Sequence, residues 1–193
     1  MNKESVSIID LGGAAGYGYF LLNYYMKRMN IDIKLDYTVV ETVAMVKAAK
    51  KFEDGALKFI DTDSFLKNKD LNHEKTLIIN STLQYIPNSI SILKSLIDTN
   101  NFEQIIINRT PLLNNNERVI YSIQKNKLSD NGIGKIDLDD DKYIFYQMIF
   151  LPMKLLLDTL QEKYNCTVKK EDGCMTIRGK LIDMYAIHAK MKE

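Results

Sequence analysis

An excess of charge of either sign is missing from this 193-residue chain, where 26 basic side chains stand against 25 acidic ones for a formal net charge of +1. That balance creates no field to gather phosphate backbones or anionic lipid, which argues against nucleic acid and membrane surfaces as partners. Long apolar runs are absent as well. The most apolar stretch, Tyr143 to Leu157, is broken by Gln147, Pro152 and Lys154, and no signal-peptide pattern follows the opening Met-Asn-Lys-Glu, so the expectation is a cytoplasmic protein. Cysteine is scarce: Cys166 and Cys174 flank an expected hairpin and are expected as two free thiols without a redox role. Histidine is equally scarce, with His73 in a polar loop and His188 near the chain end. No histidine pair has metal spacing on a helix and the cysteines are not Cys-x-x-Cys, so no zinc site is expected. The alternating acids Asp137, Asp139 and Asp141 suggest a calcium loop, but Lys142 stands where its glycine belongs and Met148 where its glutamate belongs. A solvated acidic loop is expected there, and no metal.

What the chain does have is alternation. Its length and 46% apolar content suit one domain, 1–193, that buries roughly 70% of its unfolded surface. Strand-length apolar runs fall at Val6 to Leu11, Leu35 to Val40, Leu57 to Ile60, Thr76 to Ile79 and Gln104 to Asn108. Helical patterns lie between them, at Tyr19 to Met29, Val43 to Phe52, around Ser64 to Lys69, and Ser89 to Asp98. Strand and helix repeated this way predict an α/β fold, a mostly parallel sheet with helices on both faces. After Pro111 the pattern changes. Residues 112–142 are rich in Asn, Asp and Lys and are expected to form a lid or acceptor-site insertion. Then come the run Tyr143 to Phe150, a helix from about Pro152 to Tyr164, and strands at Thr167 to Lys170 and Leu181 to Ala189 joined through Gly173 and Gly179.

The most informative segment is residues 10–18, Asp-Leu-Gly-Gly-Ala-Ala-Gly-Tyr-Gly, which holds four of the nine glycines just after the first apolar run. A glycine-rich turn between a strand and a helix suits close approach of a nucleotide-like ligand. The dinucleotide pattern Gly-x-Gly-x-x-Gly is incomplete, because the frame ending at Gly13 and Gly16 puts Leu11 at its first glycine. No Gly-Lys-Ser/Thr follows, which excludes a triphosphate loop. Asp10, closing the strand, is poorly placed beside a pyrophosphate and well placed for an ammonium or sulfonium. The ligand is therefore expected to be cationic. Glu41 ends the next strand, a place for a carboxylate that accepts hydrogen bonds from both hydroxyls of a ribose in dinucleotide and adenosyl folds alike, or for a plain solvated acid at a strand end.

The series Ile8-Ile9-Asp10-Leu11-Gly12-Gly13-Ala14-Ala15-Gly16, Val39-Val40-Glu41, Leu57-Lys58-Phe59, Ile78 to Ile86 and Ile106-Ile107-Asn108-Arg109-Thr110-Pro111 resembles the class I S-adenosylmethionine-dependent methyltransferases in order and spacing. In its Leu-Gln-Tyr-Ile and Arg-Thr-Pro segments the chain is most similar to members encoded among bacterial surface-polysaccharide genes. The resemblance implies a Rossmann-like seven-stranded sheet in the order 3-2-1-4-5-7-6, the last strand antiparallel. Relatives commonly carry a helical N-terminal extension, whereas this chain begins almost at the first strand, which leaves part of the substrate cover to a partner subunit or to none.

The resemblance further implies S-adenosylmethionine as cofactor, with Gly12, Gly13 and Gly16 beneath its methionine part and ribose and Asp10 near its amino group. Glu41 is implied on the ribose hydroxyls, and the main chain of Asn80 and Ser81 on the methionine moiety. Asp63, with Asp61 as fallback, is implied at the adenine amino group; an N-cap for the helix beginning at Ser64 is an equal role for Asp63. Acceptor-site candidates are Tyr17, Gln84, Tyr85, Arg109 and Tyr146. Arg109 suits a carboxylate or phosphate clamp or a structural ion pair, and Tyr85 a sugar contact or core packing. Methyl transfer to oxygen of a saccharide or saccharide precursor is the expected activity, and a non-catalytic or partner-dependent cofactor-binding subunit the alternative. A homo-oligomer or a partner subunit stays open.

Overall fold

The computed structural model describes residues 5–68, 75–127 and 143–193. His73, expected in a polar loop, and Asp137, Asp139 and Asp141, expected in a solvated acidic loop, lie outside these residues. Chain order runs β1 (Ser5–Leu11), α1 (Tyr17–Arg28), β2 (Lys34–Glu41), α2 (Val43–Ala49), β3 (Leu57–Asp61), α3 (Thr62–Lys67), β4 (Lys75–Asn80), α4 (Ser89–Thr99) and β5 (Phe102–Leu113). It continues with β6 (Ile120–Lys127), β7 (Tyr143–Pro152), α5 (Met153–Gln161), β8 (Tyr164–Ile177) and β9 (Lys180–Met191).

The first half alternates as its apolar periodicity requires. β2 pairs with β1 and β3, and β4 with β1 and β5, all in parallel. Leu11 lies level with Val40 on one side and Ile79 on the other, and Asn80 with Asn108, so the carboxyl ends of four strands form one rim. Main-chain bonds extend it: Gly12 N donates to Val40 O (2.8 Å) and Ser81 N to Asn108 O (2.9 Å). α2 and α3 start where the sequence offers a side-chain acceptor. Thr42 Oγ1 accepts from Met45 N at the head of α2, and Asp61 Oδ1 from Ser64 N at the head of α3.

The parallel strands carry apolar side chains on both faces, so each face builds its own core. On one, Ile9, Leu77, Ile79, Ile105 and Ile107 pack against Phe65 of α3, Leu93, Leu96 and Ile97 of α4, and Leu156 and Leu160 of α5. On the other, Ile8, Leu35, Tyr37, Val39, Leu57 and Phe59 pack against Tyr19 of α1 and Ala49 of α2. Tyr164, at the start of β8, is fully buried with its hydroxyl donated to Phe102 O at 3.1 Å.

Two expectations need correction. Among the described residues the sheet has nine strands, not seven, with hydrogen-bonded order β3-β2-β1-β4-β5-β7-β6, while β9 pairs antiparallel with β5 and β8 with β9. The two additional strands are the antiparallel hairpin of β6 and β7, joined to the end of β5 by the pairs Leu112–Leu151 and Leu113–Pro152. β6 falls inside 112–142, where scattered polar residues hid a strand whose alternate side chains are exposed. The terminal strands are also longer than expected, because β8 continues through a register shift between Lys170 and Cys174 and turns into β9 only at Arg178–Gly179. Cys166 is half-buried and Cys174 exposed, both as free thiols.

Candidate functional site

The glycine turn lies on the rim between β1 and α1, held from both sides. Gly12 has φ +76° and faces Thr82, whose side chain a Cβ here would overlap. At Gly13 a Cβ would strike the Asp10 carboxyl group, so only glycine lets the turn close over that acid. Gly16, at φ +83°, starts α1.

Asp10 is buried, and its Oδ2 accepts a 2.7 Å hydrogen bond from the hydroxyl of Tyr37, itself buried on β2. Burial pushes the Asp10 carboxyl above its ordinary range; the Tyr37 hydroxyl opposes this, and the nearby Glu41 charge adds to it. Tyr37 is held by its ring, which packs edge-on against Tyr19 at 5.7 Å, and the Tyr19 hydroxyl donates to Asp54 Oδ2 at 2.8 Å. Tyr37 was missed in the sequence, where it reads as one more apolar position of β2. Its only signal was a tyrosine in a strand that is otherwise aliphatic at its buried positions.

Glu41 ends β2 beside the turn. One carboxylate oxygen accepts from Ala14 N (3.2 Å) and the other from Thr42 N (2.8 Å), so both oxygens are oriented by main chain and retain lone pairs for a further donor. Thr62 Oγ1 donates to the Glu41 carbonyl at 3.4 Å.

Two cavities meet at this turn. One, about 450 Å³, is lined by Asp10, Gly12, Gly13, Asn80 and the Tyr17, Leu21, Leu22 and Tyr25 side of α1. The other, about 320 Å³, is lined by Gly12, Glu41, Thr62, Asn80, Ser81, Thr82 and Tyr85. Gly12 and Asn80 border both. Among the described residues, Asp10 and Glu41 are the charged side chains lining them, one in each.

The acidic pair after β3 sorts differently from the expectation. α3 begins at Thr62, so Asp61 is its N-cap and Asp63 lies in its first turn. The N-cap role considered for Asp63 is thus corrected. The Ser64 side chain and main chain hold the Asp61 carboxyl below its ordinary range. Neither acid lines either of these two cavities, although Thr62 between them lines the smaller one.

The acceptor candidates fall in three places. Gln84, Tyr85 and Tyr146 come together: Gln84 Nε2 donates to Ser81 Oγ at 3.2 Å, and the Tyr85 and Tyr146 rings meet edge to face at 5.5 Å. That ring contact brings the hairpin to the rim, and within the hairpin Asn126 donates to the Tyr146 hydroxyl at 2.5 Å. Gln84 Oε1 is buried without a protein partner. Burial and the neighbouring Tyr146 push the Tyr85 hydroxyl upward in pKa, against the Gln84 bond and the Arg109 charge. Arg109, at φ +51°, borders a separate cavity of about 640 Å³ with Lys169, Glu171 and Met184, and its main-chain N donates to Glu171 Oε2 at 2.6 Å. Tyr17 is exposed on the opposite side of the turn. His188, set aside as a candidate in the sequence, lies against Gln104 Oε1 at 3.0 Å.

No protein-family model matches the chain, and no curated protein is significantly similar to it. Solved structures do match. Over 98% of its length the chain aligns with an S-adenosylmethionine-dependent methyltransferase from Methanosarcina mazei, at TM-score 0.56 and 12% identity over 94% of that chain. The fold is that of the S-adenosylmethionine-dependent methyltransferases. Over 97% of its length it aligns with the N-terminal domain of EvdMO1, crystallised in the presence of S-adenosylhomocysteine and D-fucose, at TM-score 0.58 and 10% identity over 76% of that chain. A pericyclic-reaction enzyme matches at TM-score 0.50 and 9% identity, with 44% of its chain covered. This methyltransferase fold thus serves more than one chemistry. Among the described residues no helix is long and apolar enough to cross a membrane.

Proposed function

We propose that the chain is an S-adenosylmethionine-dependent methyltransferase acting on oxygen of a saccharide or saccharide precursor. One observation carries the cofactor assignment: two cavities joined at Gly12 and Asn80, each with a single carboxylate and no basic side chain in its lining. Such a lining disfavours a pyrophosphate and favours a ligand with ammonium and sulfonium charge beside a neutral sugar.

Glu41, with both oxygens already oriented, is the ribose acceptor in this assignment, and Asp10, screened by the glycine turn, acts on the cationic end through intervening hydrogen bonds. Gly12, Gly13 and Gly16 shape the floor, Asn80 and Ser81 supply main chain, and Asp63 or Asp61 marks the adenine end. A bound sulfonium supplies an already activated methyl group, so the protein's task is to hold an acceptor in line and exclude water. Tyr85 and Tyr146 offer an aromatic wall and a phenolic hydroxyl for a sugar, and the orphaned Gln84 Oε1 an acceptor for a hydrogen-bond donor. Arg109 adds a cationic anchor at the edge, and Tyr17 closes the far side. The saccharide class is supported by the presence of D-fucose in the EvdMO1 crystals and by the resemblance of the 83–86 and 109–111 segments. The free thiols suit a cytoplasmic setting.

A partner-dependent cofactor-binding subunit is the second reading, favoured by the exposed tyrosines and leucine on the α1 wall of the larger cavity. Calorimetry with S-adenosylhomocysteine, followed by assay of its release from S-adenosylmethionine with neutral and nucleotide-activated sugars, tests both. Binding with turnover supports the enzyme, binding without turnover in any mixture supports the subunit, and absence of binding removes both.

A further inference from the structure

α1 lacks the polar outer face of an ordinary surface helix. Between Tyr17 and Met26 its one side chain that is neither apolar nor aromatic is Asn23, apart from Gly18. Tyr19 is buried and Leu22 and Met26 pack partly against the sheet, yet the other side is as apolar as the buried one. Tyr17 is 72% exposed, Phe20 47%, Leu21 39%, Tyr24 54%, Tyr25 50% and Met29 66%. A helix that is apolar all round belongs in an interior, and a contiguous apolar patch of this kind marks an interaction surface. Edge-to-face packing of Tyr24 on Tyr25 and of Phe20 on Tyr19 keeps these rings ordered.

We propose that this face is a two-fold interface on which a second copy of the chain docks, α1 against α1. Six large side chains so exposed present on the order of 600 Å² of apolar area, against about 800 Å² per partner in a stable dimer. One helix face therefore supplies most of what a symmetric contact needs, and an isologous contact requires the same patch on both copies. Positions 17, 20, 21 and 24 fall on one stripe, which suits helix-on-helix packing. An antiparallel crossing keeps the Lys27–Arg28 pairs of the two copies apart, and a formal net charge of +1 opposes association very little.

The interface has a consequence for the site. Tyr17, Leu21 and Tyr25 wall the 450 Å³ cavity beside Asp10, so docking covers the open side of that cavity and couples association to ligand binding. This coupling rests on the proposed cofactor site; the dimer itself does not.

Sedimentation velocity over a concentration series, with and without S-adenosylhomocysteine, tests it. The expected result is a dimer favoured by the ligand. A Phe20→Glu/Tyr24→Glu variant, altered only at positions outside the cavity lining, is expected to be a folded monomer by circular dichroism and to bind S-adenosylhomocysteine at least about tenfold more weakly. Phe20→Ser/Tyr24→Ser provides an uncharged replacement should the acidic pair unfold the chain. A wild-type monomer at every concentration overturns the proposal, as does a dimer that survives both variants. Wild-type binding to phosphatidylglycerol vesicles that both variants lose, without dimerisation, assigns the face to a membrane and overturns it too. Failure of S-adenosylhomocysteine to bind a wild-type dimer removes the cofactor site and leaves the interface standing.

Discussion

Removing one oxygen, by Tyr37→Phe, isolates the contact that holds the acid beneath the glycine turn. The ring keeps its packing against Tyr19, while Asp10 loses the hydroxyl that donates to its buried carboxylate at 2.7 Å. A hydrogen bond to a charged group contributes about 1.5–3 kcal/mol. In a domain of this size that corresponds to a fall of roughly 3–12 °C in melting temperature. The sign of the pH dependence follows from burial. The Asp10 carboxyl already titrates above its ordinary value of 3.8, so in that window the folded protein keeps a proton that the unfolded chain releases, and stability falls as pH rises through it. Without the Tyr37 donor the carboxyl moves further up. The deficit of the variant is then largest above the window and smallest in acid, where Asp10 is neutral in both states. Urea denaturation of wild type, Tyr37→Phe, Asp10→Asn and the double variant between pH 4 and pH 8 measures the coupling. In the Asp10→Asn background the same change should cost only about 0.5–1.5 kcal/mol, the contribution of a neutral bond. A loss at pH 8 that is equal in the two backgrounds would refute the account, because the oxygen would then be stabilising through something other than a charged Asp10.

Glu41→Ala is expected to weaken S-adenosylhomocysteine binding by about 1.5–3 kcal/mol, or roughly 10- to 150-fold, by calorimetry; unchanged affinity rejects the ribose assignment. Gly13→Ala forces a methyl group into the Asp10 carboxyl and should destabilise the chain by about 1–3 kcal/mol in urea. Gly55→Ala, where nothing lies within 4 Å, should stay within about 0.5 kcal/mol and serves as its control. Asp61→Ala removes the α3 cap, and because Asp61 titrates below its ordinary value, the stability it contributes is present at neutral pH and lost as pH falls through its folded value. It should lower the melting temperature without changing cofactor affinity, whereas a weakened affinity would make Asp61, not Asp63, the adenine contact.

The legible parts of this molecule are local ones. Apolar runs located β1 to β5 because strands buried on both faces need continuous apolar sequence, and the turn at Gly12 and Gly13 stood out because no other residue type tolerates its geometry. Glu41 was legible from its place at a strand end. Contacts between distant segments were not. The Asp10–Tyr37 bond spans 27 positions, and nothing in Tyr37-Thr38-Val39-Val40 shows which tyrosine points at which acid. β6 escaped because a hairpin strand with one open face carries Lys, Asn and Gln where a central strand carries Val or Ile. The α3 start was misplaced by two residues because Asp61, Asp63 and Ser64 are all competent caps, and only the end of β3 decides among them.

The β6–β7 ribbon hangs from the end of β5 by the two pairs at Leu112 and Leu113, while Tyr146 meets Tyr85 at the rim. Met148 to Leu151 anchor its inner end in the core, with Ile149 and Leu151 in the cluster of Ile9, Leu11 and Val40, so only β6 and the outer half of β7 are free to drift without disturbing the strands that carry Asp10 and Glu41. Variation can thus gather on an outlying ribbon while the paired strands beneath it, and the glycine turn they carry, stay as they are.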